Sequence, residues 1–162
     1  MDKPEKIVTF RADTCTYNLV YPDFFLSVPK ATLVKLFKWL FRYDWYRENE
    51  EAIDFFDRAL PDMKEIVEAR NKEKVDAAEK RWRDRLADYE KDYLDPNPAK
   101  FPATWDKGHK QAEKEQRKRH NAENLRRVKD AKADHERTKK QAQKDLERVK
   151  EVFAIYQEAK IR

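Results

Sequence analysis

The chain is nearly free of glycine. Average usage of about 7% would place roughly eleven in a chain of this size, and Gly108 is the only one among 162 residues. Loops that bring backbone amides against a phosphate rely on glycine because only it takes positive φ at no steric cost. A Walker-type loop and a dinucleotide-binding fingerprint are therefore excluded. The single cysteine, Cys15, cannot close an internal disulfide, and no run is long and apolar enough for a signal peptide or membrane span. A reducing, cytoplasmic setting is the simplest expectation. Cys15 as a nucleophile would need a histidine folded against it, and all three histidines lie at or beyond residue 109, so an inert cysteine is expected.

What the chain has instead is charge, 43% of residues against the quarter usual in globular domains. That excess points to long helices rather than one compact globule. Aromatic residues gather at one end, thirteen of the twenty within residues 1–60. Basic residues gather elsewhere, with sixteen Lys or Arg against eight acids in residues 107–150, which exceeds the whole chain's net +5.

Residues 6–10 and 16–21 are β-branched and aromatic, and read as a candidate short hairpin across the polar stretch RADTC. A helix should follow, with Ser27 as N-cap, Pro29 in its first turn, and Leu33, Leu36, Phe37 and Leu40 on its buried face. A second helix over about 46–60 places Ala52, Ile53, Phe56 and Leu60 together. From Asp62 to Leu94 no proline or glycine interrupts a stripe of Met63, Ile66, Val67, Val75, Ala78, Trp82, Leu86, Tyr89 and Tyr93. Three prolines then break the chain before a second uninterrupted run begins near Lys107.

The expected fold is mainly α. Residues 1–60 form an aromatic-rich head with a hairpin and two helices, 61–94 a long helix, 95–106 a proline-rich turn, and 107–162 a long basic helix whose C-terminal end packs on the head. Helices this long need each other, so an antiparallel hairpin or coiled-coil stalk is expected, pairing 62–94 with about 107–140. Its seam is Val128, Ala131, His135, Thr138, Ala142, Leu146 and Val149, regular in spacing and poor in bulk. So thin a seam could equally pair between chains, giving a homo-oligomer.

Three surfaces are candidates for function. Arg126, Lys129, Arg137, Lys140, Lys144 and Arg148 fall on one line of the long helix, away from the seam. They make a rail of about 33 Å suited to phosphates, on DNA, RNA or a ribonucleoprotein. Against it, acids sit at helix-pairing distance, Glu113 with Arg117, Glu115 with Arg119, Glu123 with Arg127 and Glu136 with Lys140, which is how a solvated face looks. No zinc-ligand spacing, aromatic RNP strand or leucine zipper is present. Trp82, Tyr89, Tyr93, Phe101 and Trp105 form the second candidate. In the expected register the first three face the polar stretch near His109, Gln116 and Asn121, so they either pack under the loop or stand open to a partner protein. The third is the helix within residues 33–47, whose Lys35, Lys38 and Arg42 oppose its apolar face as in a membrane-surface helix; a buried core helix is the simpler reading.

Glu50, Glu51, Asp54 and Asp57 share helix faces, but a solvated acidic face explains them as well as a metal does. The histidines lack the i, i+4 spacing of zinc helices. No cofactor, metal site or catalytic constellation can be assembled. Small, glycine-poor, highly charged helical chains of this kind resemble, in a general way, accessory proteins of phages and mobile elements that bind and redirect a host machine. The expected function is a non-enzymatic helical adaptor or inhibitor that binds a protein. Nucleic-acid binding through the rail is the alternative, followed by membrane-surface binding.

Overall fold

The computed structural model describes residues 6–42 and 45–161. Tyr43 and Asp44, part of the helical segment expected over 33–47, lie outside them. Two compact units emerge, one of residues 1–72 with 141–162 and one of residues 73–140.

In the first unit, β1 (Lys6–Ala12) and β2 (Cys15–Tyr21) pair antiparallel from Lys6↔Tyr21 to Ala12↔Cys15. The hairpin is longer than expected because the turn needs only Asp13 and Thr14. Asp13 sits at φ 53°, a left-handed conformation that Asp tolerates better than most residues. Side chains alternate across the pleat, burying Val8, Phe10, Ala12, Leu19 and Tyr21 and exposing Ile7, Thr9, Arg11, Thr16, Asn18 and Val20.

A short helix, α1 (Asp23–Ser27), precedes the expected one. Ser27 is therefore not an N-cap: its hydroxyl donates back to the Asp23 and Phe24 carbonyls, and Pro29 stands at the start of α2 (Lys30–Leu40). The apolar face of α2 is buried as the core reading requires, with Leu33 and Leu40 fully enclosed. None of that face is left for a bilayer. After a single 3-10 turn (Arg47–Asn49), α3 (Glu50–Ala59) buries Ala52, Ile53 and Phe56.

The remaining core comes from the beginning of α4 (Met63–Asp92) and the end of α5 (Lys107–Ile161). Met63 and Val67 join Val149, Val152, Ile155, Tyr156 and Ala159 in one cluster with the hairpin and α1 to α3. Aromatic edges lock it, Phe37 against Tyr156 at 5.1 Å and Phe25 against Phe56 at 5.4 Å. Burying a side chain of this size contributes roughly 1.5–3 kcal/mol, so the C-terminal turns of α5 are as much a part of this core as the hairpin.

Buried polar groups in this unit are paired. Asn49, 1% exposed, accepts from the Arg11 amide at 2.7 Å and donates to the Arg11 carbonyl at 2.9 Å, as a neighbouring strand would. Tyr156 donates to Asp57 at 2.7 Å, and Lys160 reaches the same oxygen. Burial, followed by the bond to Asp57 and its charge, pushes the Tyr156 hydroxyl well above the tyrosine range. Burial also works against the charge of Asp57, but the bonds from Lys160 and Tyr156 outweigh it and hold that carboxyl below its usual range.

The second unit is an antiparallel hairpin of the C-terminal part of α4 and the N-terminal part of α5. Trp82 lies on His135, Arg81 pairs with Asp134, and Leu94 meets Asn121. This register differs from the expected one by roughly four helical turns, because the loop is not a plain connection. Residues 93–106 fold back on the start of α5, Trp105 against His109 at 4.1 Å and Phe101 beneath the Arg117 guanidinium at 4.8 Å. Asp106 caps α5 by accepting from the His109 amide at 2.7 Å. Of the expected seam, Val128 and His135 are buried here and Ala131 and Thr138 half-buried, so the spacing held while the bulk is as thin as it reads.

Candidate functional site

The five aromatic residues singled out by sequence do not form one patch; the structure distributes them over three settings in the second unit. Trp82 is half-buried, stacked on the His135 ring at 5.7 Å with Lys132 over its face. Phe101, 6% exposed, and Trp105 pack with His109 and Arg117 on the folded-back loop. Tyr89 and Tyr93 meet edge to face at 6.0 Å, and there the surface opens. Leu86, Tyr93 and Leu94 are 37%, 51% and 38% exposed in a unit whose surface is otherwise mostly charged. Leu86, Tyr89 and Tyr93 stand at i, i+3 and i+7, one face of the chain at the end of α4. The apolar stripe read from sequence includes Leu86 as a packing residue and ends at Tyr93, without Leu94.

The polar stretch of α5 has a structural task. Asn121 accepts from the Leu94 amide at 3.0 Å and donates to the Leu94 carbonyl at 2.7 Å, His120 bonds the Asp92 carbonyl, and Arg117 donates to that of Asp95. The His120 bond meets the Asp92 carbonyl, one of those that the end of α4 leaves without a helical partner, and the other bonds fix the chain just beyond it. A hydrogen bond from Lys100, supported by the Asn97 amide, holds the Asp95 carboxyl below its usual range.

The basic residues divide by partner. In the second unit Arg126 is held by Glu123 at 2.8 Å and lies near Asp130, and Arg137 lies 3.8 Å from Asp134. Lys129 and Lys140 are exposed and make no ion pair among the described residues. In the first unit Lys144 is likewise exposed, whereas Arg148 is not available. Its side chain is 15% exposed, bonded to the Phe25 and Val28 carbonyls and to Glu151. Of the four expected i, i+4 pairs, Glu113 with Arg117 and Glu123 with Arg127 form, at 3.0 and 3.5 Å. Glu115 turns instead to Lys118 and Gln111.

Between α4 and α5 an open groove is lined by Arg81, Asp84, Arg85, Asp88, Arg127 and Asp130. Equal numbers of opposite charges leave it no preference for an anion or a cation. Among the described residues no three His, Cys, Asp or Glu side chains come together as metal ligands. Cys15 is exposed in the first unit, and all three histidines belong to the second. No helix among the described residues is long and apolar enough to cross a membrane. No family model matches the chain, and neither a curated protein nor a solved structure shows significant similarity to it.

Proposed function

We propose that the chain is a non-enzymatic interaction protein, an adaptor or inhibitor, that holds a partner protein against the apolar strip at the end of α4. The supporting observation is the exposure of Leu86, Tyr93 and Leu94 in a unit that buries only Ala78, Phe101, Val128 and His135 among its described residues. Tyrosine offers a large contact area with two rotatable bonds and a polar tip, which is why it recurs at the centres of protein interfaces. The Arg117 and Asn121 contacts hold the adjoining backbone in place, so little ordering is left to be done on binding.

The test is affinity capture from native cytosol by the wild-type chain and by a Leu86→Glu/Tyr93→Glu variant. Both substitutions fall on exposed positions and should leave the helical content and melting temperature nearly unchanged. A discrete partner retained by the wild type and lost by the variant supports the reading. A partner retained equally by both counts against it.

Phosphate binding is a second reading, favoured by Lys129 and Lys140, which project from α5 without ion-pair partners among the described residues. Fluorescence anisotropy with labelled duplex and single-stranded nucleic acid at two salt concentrations separates the two. Affinity that falls steeply with salt and with Lys129→Gln/Lys140→Gln supports the rail, and no binding at low salt removes it.

A further inference from the structure

A two-stranded sheet has two outer edges, and the two edges of this one are treated differently. Arg11 gives both its backbone groups to the Asn49 side chain, so in the Arg11↔Thr16 pair those groups point away from β2. By the alternation of an antiparallel ladder, the N–H and C=O groups of Thr16, Asn18 and Val20 point away from β1. No hydrogen bond among the described residues occupies that edge. Their side chains are exposed as well.

Edges left open in this way normally carry charge, proline or a bulge that prevents pairing with another chain. Here CTYNLVY has no charged residue in a protein that is 43% charged. The edge is also complementary to itself. Turned about a two-fold axis through Asn18, it sets Asn18 opposite Asn18 of the second copy and Thr16 opposite its Val20, a β-branched pair. Three residues per strand would then exchange about six main-chain hydrogen bonds. The Thr9 hydroxyl already donates to the Asn18 side-chain oxygen Oδ1 at 2.8 Å, which leaves the Asn18 side-chain NH2 group to donate across the axis.

We propose that the open edge of β2 is a homodimerisation edge, where two copies pair antiparallel about Asn18 into a four-stranded sheet. So short an edge covers less than the roughly 800 Å² per partner of a standard interface, so the dimer is weak and concentration-dependent. It uses the first unit only, and its failure would leave the α4 strip untouched.

Sedimentation velocity across a concentration series, to about 200 μM, should show reversible conversion from monomer to dimer, with a dissociation constant in the micromolar range. Asn18→Lys and Val20→Lys should each weaken it at least about tenfold, by placing like charges or an unpaired charge on the edge. A monomer at every concentration, or a dimer that both variants leave intact, overturns the proposal. Cross-linking tests the geometry independently of variant stability. In a Cys15→Ser background with oxidised glutathione, Asn18→Cys should form an intermolecular disulfide, because facing Cα atoms of a hydrogen-bonded pair lie about 5.5 Å apart, within bridging range. Thr9→Cys should not cross-link, since β2 of each copy separates the two positions. Equal cross-linking at both positions, or none at Asn18→Cys, overturns the pairing.

Discussion

Arg148 lies on the line of basic residues along α5, yet its guanidinium is spent on the Phe25 and Val28 carbonyls and on Glu151. Removing it leaves two backbone acceptors in the α1–α2 connection without their donor. Arg148→Ala should therefore destabilise the first unit by about 1–3 kcal/mol in chemical denaturation, given the cost of leaving partly buried acceptors unmet. Its effect on any nucleic-acid affinity should be negligible. His135 presents the opposite case. It is 4% exposed and neither ring nitrogen has a hydrogen-bond partner among the described residues. Replacing such a group by an apolar one of similar size is neutral or stabilising, so His135→Leu should leave the melting temperature unchanged or raise it. A drop of several degrees would show that the imidazole holds a partner.

At the level of elements, the helices and the hairpin were legible because their periods are strong: Leu33, Leu36, Phe37 and Leu40 are all buried, and strand alternation holds through residues 7 to 12. The seam was legible for the same reason, down to His135. The pairing register was not. The expected register takes 95–106 as a simple turn, whereas Asp95 and Asn97 accept backbone amides two residues on and shape a loop that packs back on α5. Contacts of a side chain with the backbone of a distant loop leave no periodic trace, so the roles of Asn49, Asn121 and Arg148 could not be read beforehand. The exposed strip was half legible: its residues were on the stripe, but whether they were covered depended on the register. Asn121→Ala removes both bonds to Leu94 and should speed amide exchange at residues 93–97 while changing global stability by only about 1 kcal/mol.

For the whole molecule, stability should be distributed unevenly, since the large buried aromatic residues other than Phe101 belong to the first unit. Amides around Phe37, Phe56 and Val152 should exchange more slowly than those of residues 84–92 and 107–116, as local contact density dictates. The pH limits follow from charge. Burial, aided by the charge of Asp62, keeps Tyr21 neutral, as burial and Asp57 do for Tyr156, so both titrate above an ordinary tyrosine. A raised acid of this kind leaves stability intact below about pH 10 and removes it as pH rises further, because the unfolded chain gives up the protons first. Tyrosinate absorbance should accordingly rise in two stages, the second coinciding with loss of helical circular dichroism. Asp57, Asp95, Glu123 and Glu151 are shifted the other way, and their contribution is lost as pH falls below about 4.

The claim that the end of α4 is a binding surface can be tested directly with a photoreactive amino acid at position 93. Tyr93 is 51% exposed, so the probe displaces no core packing. Irradiation in native cytosol should give one discrete adduct with another protein, absent from a chain that also carries Leu86→Glu. Adducts only with further copies of this chain, or a diffuse set that Leu86→Glu leaves unchanged, would contradict it.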